Sequence, residues 1–140
     1  MLTDQLKDFY RKLRLVHYRE LFGRIRERDG SLSATEAFAV DVVYLLGNPT
    51  VSALADALGI SQPNATYKIN NLSAKGYVVR TASEEDKREC HVSVGKRFYR
   101  YYDTSCDFLT KAADKLRERF SDEELATFEK VLGALDEAIE

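Results

Sequence analysis

Apolar residues recur along this chain at two different spacings, and the switch between them marks its organisation. Leu2, Leu6, Phe9, Leu13 and Val16 stand three or four residues apart, continued by Leu21 or Phe22 and Ile25. That period predicts one long amphipathic helix over residues 2 to about 28. Thr3 or Asp4 is placed to cap it, and Asp29-Gly30-Ser31 to end it. Ser33, with Glu36 three residues on, has the spacing of a capping box. It predicts a second helix to about Leu46, with Phe38, Val42 and Leu45 inward, broken by Gly47-Asn48-Pro49. Thr50 is a candidate N-cap for a short third helix with apolar Val51, Leu54, Ala55 and Leu58. Gly59 falls where a helix end needs a left-handed residue. Ser61 caps a fourth helix, Pro63 lies in its first turn, and the helix runs to about Lys75 before Gly76.

The spacing then changes to two. Tyr77-Val78-Val79-Arg80-Thr81 is rich in β-formers, Ser83 to Arg88 is a polar turn, and Cys90, Val92 and Val94 alternate with Glu89, His91 and Ser93. Two short helices joined by a tight turn, followed by a β-hairpin, predict a winged helix-turn-helix over residues 33–94. After it, a long helix is expected from Gly95, with Phe98, Tyr101 or Tyr102, Ser105, Phe108, Ala112, Leu116 and Phe120 inward. Ser121 and Glu124 repeat the capping-box spacing and open a last helix. There Leu125, Phe128, Leu132, Leu135 and Ile139 form a narrow apolar seam suited to a partner helix. The expected fold class is mainly α with a small β-hairpin wing. A single domain, 1–140, would carry long N- and C-terminal dimerisation helices, 1–28 and 95–140.

The fourth helix carries the candidate chemistry. Ala65, Ile69 and Leu72 share one stripe and face the core. The other faces hold Ser61, Gln62, Asn64, Thr66, Tyr67, Asn70, Asn71 and Lys75. Amides pair with adenine edges and a Thr methyl touches a thymine methyl, so this face suits base reading in a major groove. Residues nearest the N-terminal end, Gln62, Asn64, Thr66 and Tyr67, would meet bases, whereas Asn70, Asn71 and Lys75 would reach phosphate or pack. At the hairpin tip, Arg88 is placed to enter a narrow minor groove, with Asp86 to orient it and Lys87 beside it. The expected partners are double-stranded DNA and a second copy of the chain. Paired reading helices would sit about 34–36 Å apart and fit a pseudo-palindrome.

Charge adds to this picture through its distribution. The net charge is −2, yet residues 61–100 hold eight basic against four acidic side chains, and residues 101–140 hold five against eleven. The basic excess coincides with the helix and hairpin, and the acidic segment is expected to point away from DNA. No apolar run spans a membrane and no signal-peptide pattern opens the chain. Two cysteines, Cys90 and Cys106, fit a reducing cytosol, so a cytoplasmic location is expected. Cys90, alternating with Val92 and Val94, is expected buried, and Cys106 within a helix beside Asp107. His17 and His91 are the only histidines, so no metal site is expected. There is no Gly-rich phosphate loop and no nucleophile–base pattern, so no enzymatic activity is expected.

Leu72-Ser73-Ala74-Lys75-Gly76-Tyr77-Val78, followed by Ser83-Glu84-Glu85-Asp86-Lys87-Arg88, resembles the signature of the MarR family of bacterial transcriptional regulators. Two positions depart from the family pattern: Val94-Gly95-Lys96-Arg97-Phe98 replaces a Leu-Thr-x-x-Gly run, and Tyr67 stands where relatives often have Arg or a small polar residue. The resemblance implies that Arg88 enters the minor groove with Asp86 in support. It implies a ligand-responsive repressor acting as a homodimer, with no cofactor but with a small-molecule or acyl effector. Asn70-Asn71-Leu72 and the wing are similar to the branch that represses fatty-acid synthesis genes and senses acylated carrier protein. An effector crevice in such proteins would here be lined by Phe9, Tyr10, His17, Tyr18, Phe38, Tyr44, Tyr99 and Tyr102. The alternative function is a winged-helix protein-interaction module without specific DNA binding, which predicts weak and salt-insensitive DNA binding.

Overall fold

Local cap chemistry sets most of the helix boundaries. The structure, a computed structural model, describes residues 1–25, 32–85, 89–101 and 106–139. In chain order the elements are α1 (Leu2–Ile25), α2 (Ala34–Leu46), α3 (Val51–Leu58), α4 (Gln62–Ala74), β1 (Val78–Ala82), β2 (Cys90–Val94), α5 (Lys96–Tyr101), α6 (Asp107–Arg119) and α7 (Asp122–Ala138). Ser33 caps α2 and Ser121 caps α7, each with a reciprocal capping box to Glu36 and Glu124. Thr50 accepts from the Ala53 N–H at 3.0 Å, and Ser61 from the Asn64 N–H at 3.3 Å. Each bond satisfies a donor that the first helical turn leaves without a partner. Gly59 is left-handed, with φ 66 and ψ 35, and lets the Ile60 N–H bond back to the Ala55 carbonyl at 3.0 Å.

The chain divides into two compact units, Met1–Tyr102 and Asp103–Glu140. In the first, α2, α3, α4 and α5 close around the hairpin. The core joins Leu21, Leu32, Val40, Val43, Leu54, Ile69, Leu72, Tyr77, Val78, Val92 and Phe98. Burying each of the larger aliphatic side chains contributes about 1.5–3 kcal/mol relative to leaving it in water. β1 and β2 pair antiparallel, with Val78 opposite Val94 and Arg80 opposite Val92. Thr50 forms an isolated bridge to His91, and the Val92 N–H donates to the Pro49 carbonyl at 2.9 Å. The segment before α3 thus ties the helix-turn-helix to the hairpin. Gly95 turns the chain out of β2 by close approach. Its N–H donates to the Tyr77 carbonyl at 2.7 Å, and a Cβ there would stand 2.9 Å from the Gly76 carbonyl oxygen.

The second unit is a helical hairpin of α6 and α7, in which none of the described residues is buried. Among the described side chains of α1, only Leu21 is buried. Leu2, Leu6, Phe9 and Phe22 on α1 and Phe128, Val131 and Leu132 on α7 are all exposed.

Several expectations change. Phe38 and Leu45, expected inward on α2, are exposed, and Ala37, Ala39, Val40 and Val43 are its buried residues. The single long helix from Gly95 does not form: α5 ends at Tyr101, and α6 begins after Cys106, which has φ 53. A left-handed residue cannot continue a right-handed helix, and Asp103, Thr104 and Ser105 are helix-poor residue types that compete for backbone hydrogen bonds. Tyr102 and Ser105 lie outside the described residues. Cys106 is therefore the exposed N-cap of α6 and not a mid-helix residue, and Cys90 is half-buried, not buried. The first strand begins at Val78, because Tyr77 is still bonded back to the Leu72 carbonyl at 2.9 Å in the turn that ends α4. The end of the first helix beyond Ile25 also lies outside the described residues.

Candidate nucleic-acid interface

The interface is built on α4. Its Ala65, Ile69 and Leu72 are fully buried, which fixes the rotation of the helix about its axis. That rotation leaves Ser61, Gln62, Asn64, Tyr67 and Asn70 exposed, with Thr66, Asn71 and Lys75 half-buried. The exposed residues carry amides, a hydroxyl and a phenol, with no formal charge among them. A helix in plain contact with water would normally carry Glu and Lys there.

Three of these side chains are tied to neighbouring elements. Gln62 Nε2 donates to Ser52 Oγ of α3 at 3.2 Å, across the turn between the two helices. Asn70 Oδ1 accepts from Arg80 Nη1 of β1 at 2.8 Å. Lys75 Nζ donates to Glu36 Oε1 of α2 at 3.0 Å, so it packs inward. Ser52, Arg80 and Glu36 did not emerge from sequence as members of this surface. They are 10 or 39 residues from their partners, and only the fold brings them together.

The C-terminal end of α4 is held most firmly. Burial opposes ionisation of Glu36, but its bond from the Ser33 N–H, together with Lys75 and the Ser33 hydroxyl, holds its carboxyl below the usual range. Arg97 Nη1 donates to the Lys75 carbonyl at 2.7 Å, and the guanidinium lies 5.1 Å above the Tyr77 ring. A cation at the last carbonyls also matches the negative end of the helix dipole. The turn end of the hairpin is tied down by His91, which pairs with Thr81 and whose Nδ1 lies 3.0 Å from the Asn48 carbonyl oxygen. The Ser83 N–H donates to the Glu89 carbonyl at 3.0 Å where the strands enter the turn. Asp86, Lys87 and Arg88 at the tip lie outside the described residues.

The aromatic residues expected around an effector fall into separate groups. Tyr10, His17 and Tyr18 line a shallow, open recess along α1 with Leu13 and Arg14, and Arg14 lies 5.5 Å from the Tyr10 ring centroid. His17 Nε2 reaches Asp41 of α2 at 3.6 Å. Tyr44 stacks on Phe98 at 5.1 Å and meets Tyr99 edge-on at 6.5 Å. Phe9 and Phe38 are exposed, and Tyr102 is outside the described residues. Among the described residues no three His, Cys, Asp or Glu side chains gather as a metal site would need. No helix among them is long and apolar enough to cross a membrane.

Residues 31–89, which contain the helix-turn-helix and the hairpin's first strand and turn, match the model of the MarR family. This winged segment is similar to the MarR family. No curated protein matches the sequence. Solved structures share the fold along nearly the whole chain. FabT of Streptococcus pneumoniae, solved in complex with DNA, is 24% identical, with 99% of this chain and 94% of that chain covered at a TM-score of 0.63. A mutant MepR from a multidrug-resistant S. aureus clinical isolate is 14% identical, with 96% and 97% covered at 0.65. A MarR family protein from Bacillus stearothermophilus is 17% identical, with 98% and 94% covered at 0.60. The mainly helical architecture with one antiparallel hairpin matches the winged-helix fold of these structures.

Proposed function

We propose that this chain is a transcriptional regulator of the MarR type that binds double-stranded DNA at specific sequences. It acts as a homodimeric repressor released by a small-molecule or acyl effector. The observation that carries the reading is the exposed, uncharged face of α4, rotated outward by its buried stripe and flanked by a hairpin. In a major groove, Asn64 supplies the donor and acceptor that an adenine edge matches, and Thr66 a methyl for thymine. The cap at Ser61 places these residues in the first turns of α4, the part of a reading helix nearest the bases. The hairpin beside it takes the neighbouring minor groove, with Arg88 as the inserting cation. FabT of similar fold is a DNA complex, and a second mutant of S. aureus MepR is bound to an oligodeoxyribonucleotide.

The dimer reading rests on exposed apolar stripes. Leu2, Leu6 and Phe9 on α1, and Phe128, Val131 and Leu132 on α7, face water in the single chain. Pairing two copies through these helices would remove that area from water, at about 25 cal/mol per Å². The recess along α1, with Tyr10, Arg14 and His17, supports an effector site that carries aromatic and hydrogen-bonding groups.

Selection of bound duplexes from a random pool tests the function. The expected result is a pseudo-palindrome with half-sites about one helical turn apart, bound with an affinity that falls steeply with salt. Recovery of no preferred sequence, with binding insensitive to salt, would leave a protein-interaction module instead.

A further inference from the structure

A cation stands between the reading helix and the hairpin, held from the helix side. Arg80 lies on β1 opposite Val92. Directly paired residues project from the same face of a sheet, as do residues two apart on one strand. Val92 and Val78 are both buried in the core. Arg80 therefore continues the core-facing side of the hairpin, one step beyond the edge of the core, and it is exposed there. It reaches across to α4, where Nη1 donates to Asn70 Oδ1 at 2.8 Å.

We infer that Arg80 and Asn70 form a clamp for one DNA backbone phosphate. Arg80 supplies the charge, while Asn70 orients the guanidinium and adds an amide N–H. The inference rests on the DNA-binding reading above. When a helix occupies a major groove and its hairpin the adjacent minor groove, the sugar-phosphate strand that separates the two grooves runs between them. Arg80 occupies that gap. A guanidinium has five N–H donors in a planar fork that suits two phosphate oxygens, and one of its nitrogens is used to hold Asn70. Asn70 is correspondingly assigned to the backbone. Its carbonyl oxygen, the acceptor an adenine amino group would need, already receives Arg80, and its N–H donors remain for an anion. From sequence, Asn70 could reach phosphate or pack; with Arg80 it does both, packing against the hairpin while its amide N–H turns to the phosphate.

The test uses the full chain on the duplex it selects, with affinity measured across a salt series and across single-base variants of that duplex. Arg80→Ala is expected to weaken binding by the same factor on every duplex and to reduce the slope of log affinity against log salt by about 1. Arg80→Lys keeps the slope but loses part of the affinity. Asn70→Ala causes a smaller loss, which disappears in the Arg80→Ala background. A methylphosphonate scan of the duplex supplies a second readout at the level of a single phosphate. One neutralised phosphate per half-site should weaken the wild type and leave Arg80→Ala indifferent. An unchanged salt slope in a folded Arg80→Ala, or losses that differ from one base variant to another, overturns the clamp alone. A wild type that binds no duplex in a salt-dependent way overturns the DNA-binding reading and the clamp with it.

Discussion

Lys75 Nζ lies 3.0 Å from the Glu36 carboxylate, joining the end of α4 to the capping box that begins α2. One carboxylate thus does two jobs: it accepts the Ser33 N–H at 3.1 Å and it draws in a lysine 39 residues away. Only 13% of the Glu36 side-chain surface is exposed, so water screens the pair weakly.

Glu36→Gln is expected to destabilise the fold by about 1–2 kcal/mol at neutral pH, because the amide keeps the cap but removes the negative charge that the ammonium faces. The pH dependence follows from the lowered folded-state value. A carboxyl that ionises more easily in the folded chain contributes stability above its ordinary value of 4.5, and that contribution is lost as pH falls below it. Urea unfolding of the wild type should therefore weaken from about pH 5 downward more steeply than unfolding of Glu36→Gln. Parallel curves would show that the pair contributes nothing.

Gly95→Ala tests close approach in isolation. The new Cβ would stand 2.9 Å from the Gly76 carbonyl oxygen and 3.5 Å from Val79 Cγ2. Because the nearest atom is backbone, the turn that ends α4 must shift, at a cost of about 1–3 kcal/mol. Gly59→Ala makes the contrast: nothing lies within 4 Å, and the cost comes only from φ 66. It should be about 1 kcal/mol. Chemical denaturation of the two variants measures the difference, and equal costs would count against the steric account.

Base reading predicts a different signature from phosphate binding. Asn64→Ala should change which base is preferred at one position of each half-site, by about 1–3 kcal/mol, and leave the salt slope as it was. The check is competition binding against all four bases at each position. A uniform loss across the panel would move Asn64 from the bases to the backbone.

Where the physics is local, the sequence was legible. Ser33, Thr50, Ser61 and Ser121 cap the helices they were expected to cap, because a cap needs only its own three following residues. The stripe of Ala65, Ile69 and Leu72 was equally plain, since burial at helical spacing leaves a period. The break before α6 was not, because Phe98, Tyr101 or Tyr102, Ser105 and Phe108 keep a helical period across residues that disfavour a helix. Period alone carries no information about a left-handed residue such as Cys106. The links from Gln62 to Ser52 and from Asn70 to Arg80 were hidden for another reason. A polar residue on an outer face has the same pattern whether it meets water or a neighbouring element.

The exposed stripe on α1 yields the last prediction. Leu6 and Phe9 lie outside the core, so Leu6→Asp with Phe9→Asp should leave the thermal unfolding of the winged lobe nearly unchanged. Two copies held through α1 would instead be pushed apart, since carboxylates buried in an apolar interface without partners are costly. Sedimentation should then report 16.0 kDa for the variant and twice that for the wild type. Operator affinity should fall by about 10²-fold or more, because each reading helix must find its half-site without a tethered partner. A wild type that sediments as a single chain, or a variant that stays paired, would place the interface elsewhere and leave the α1 stripe in need of another occupant.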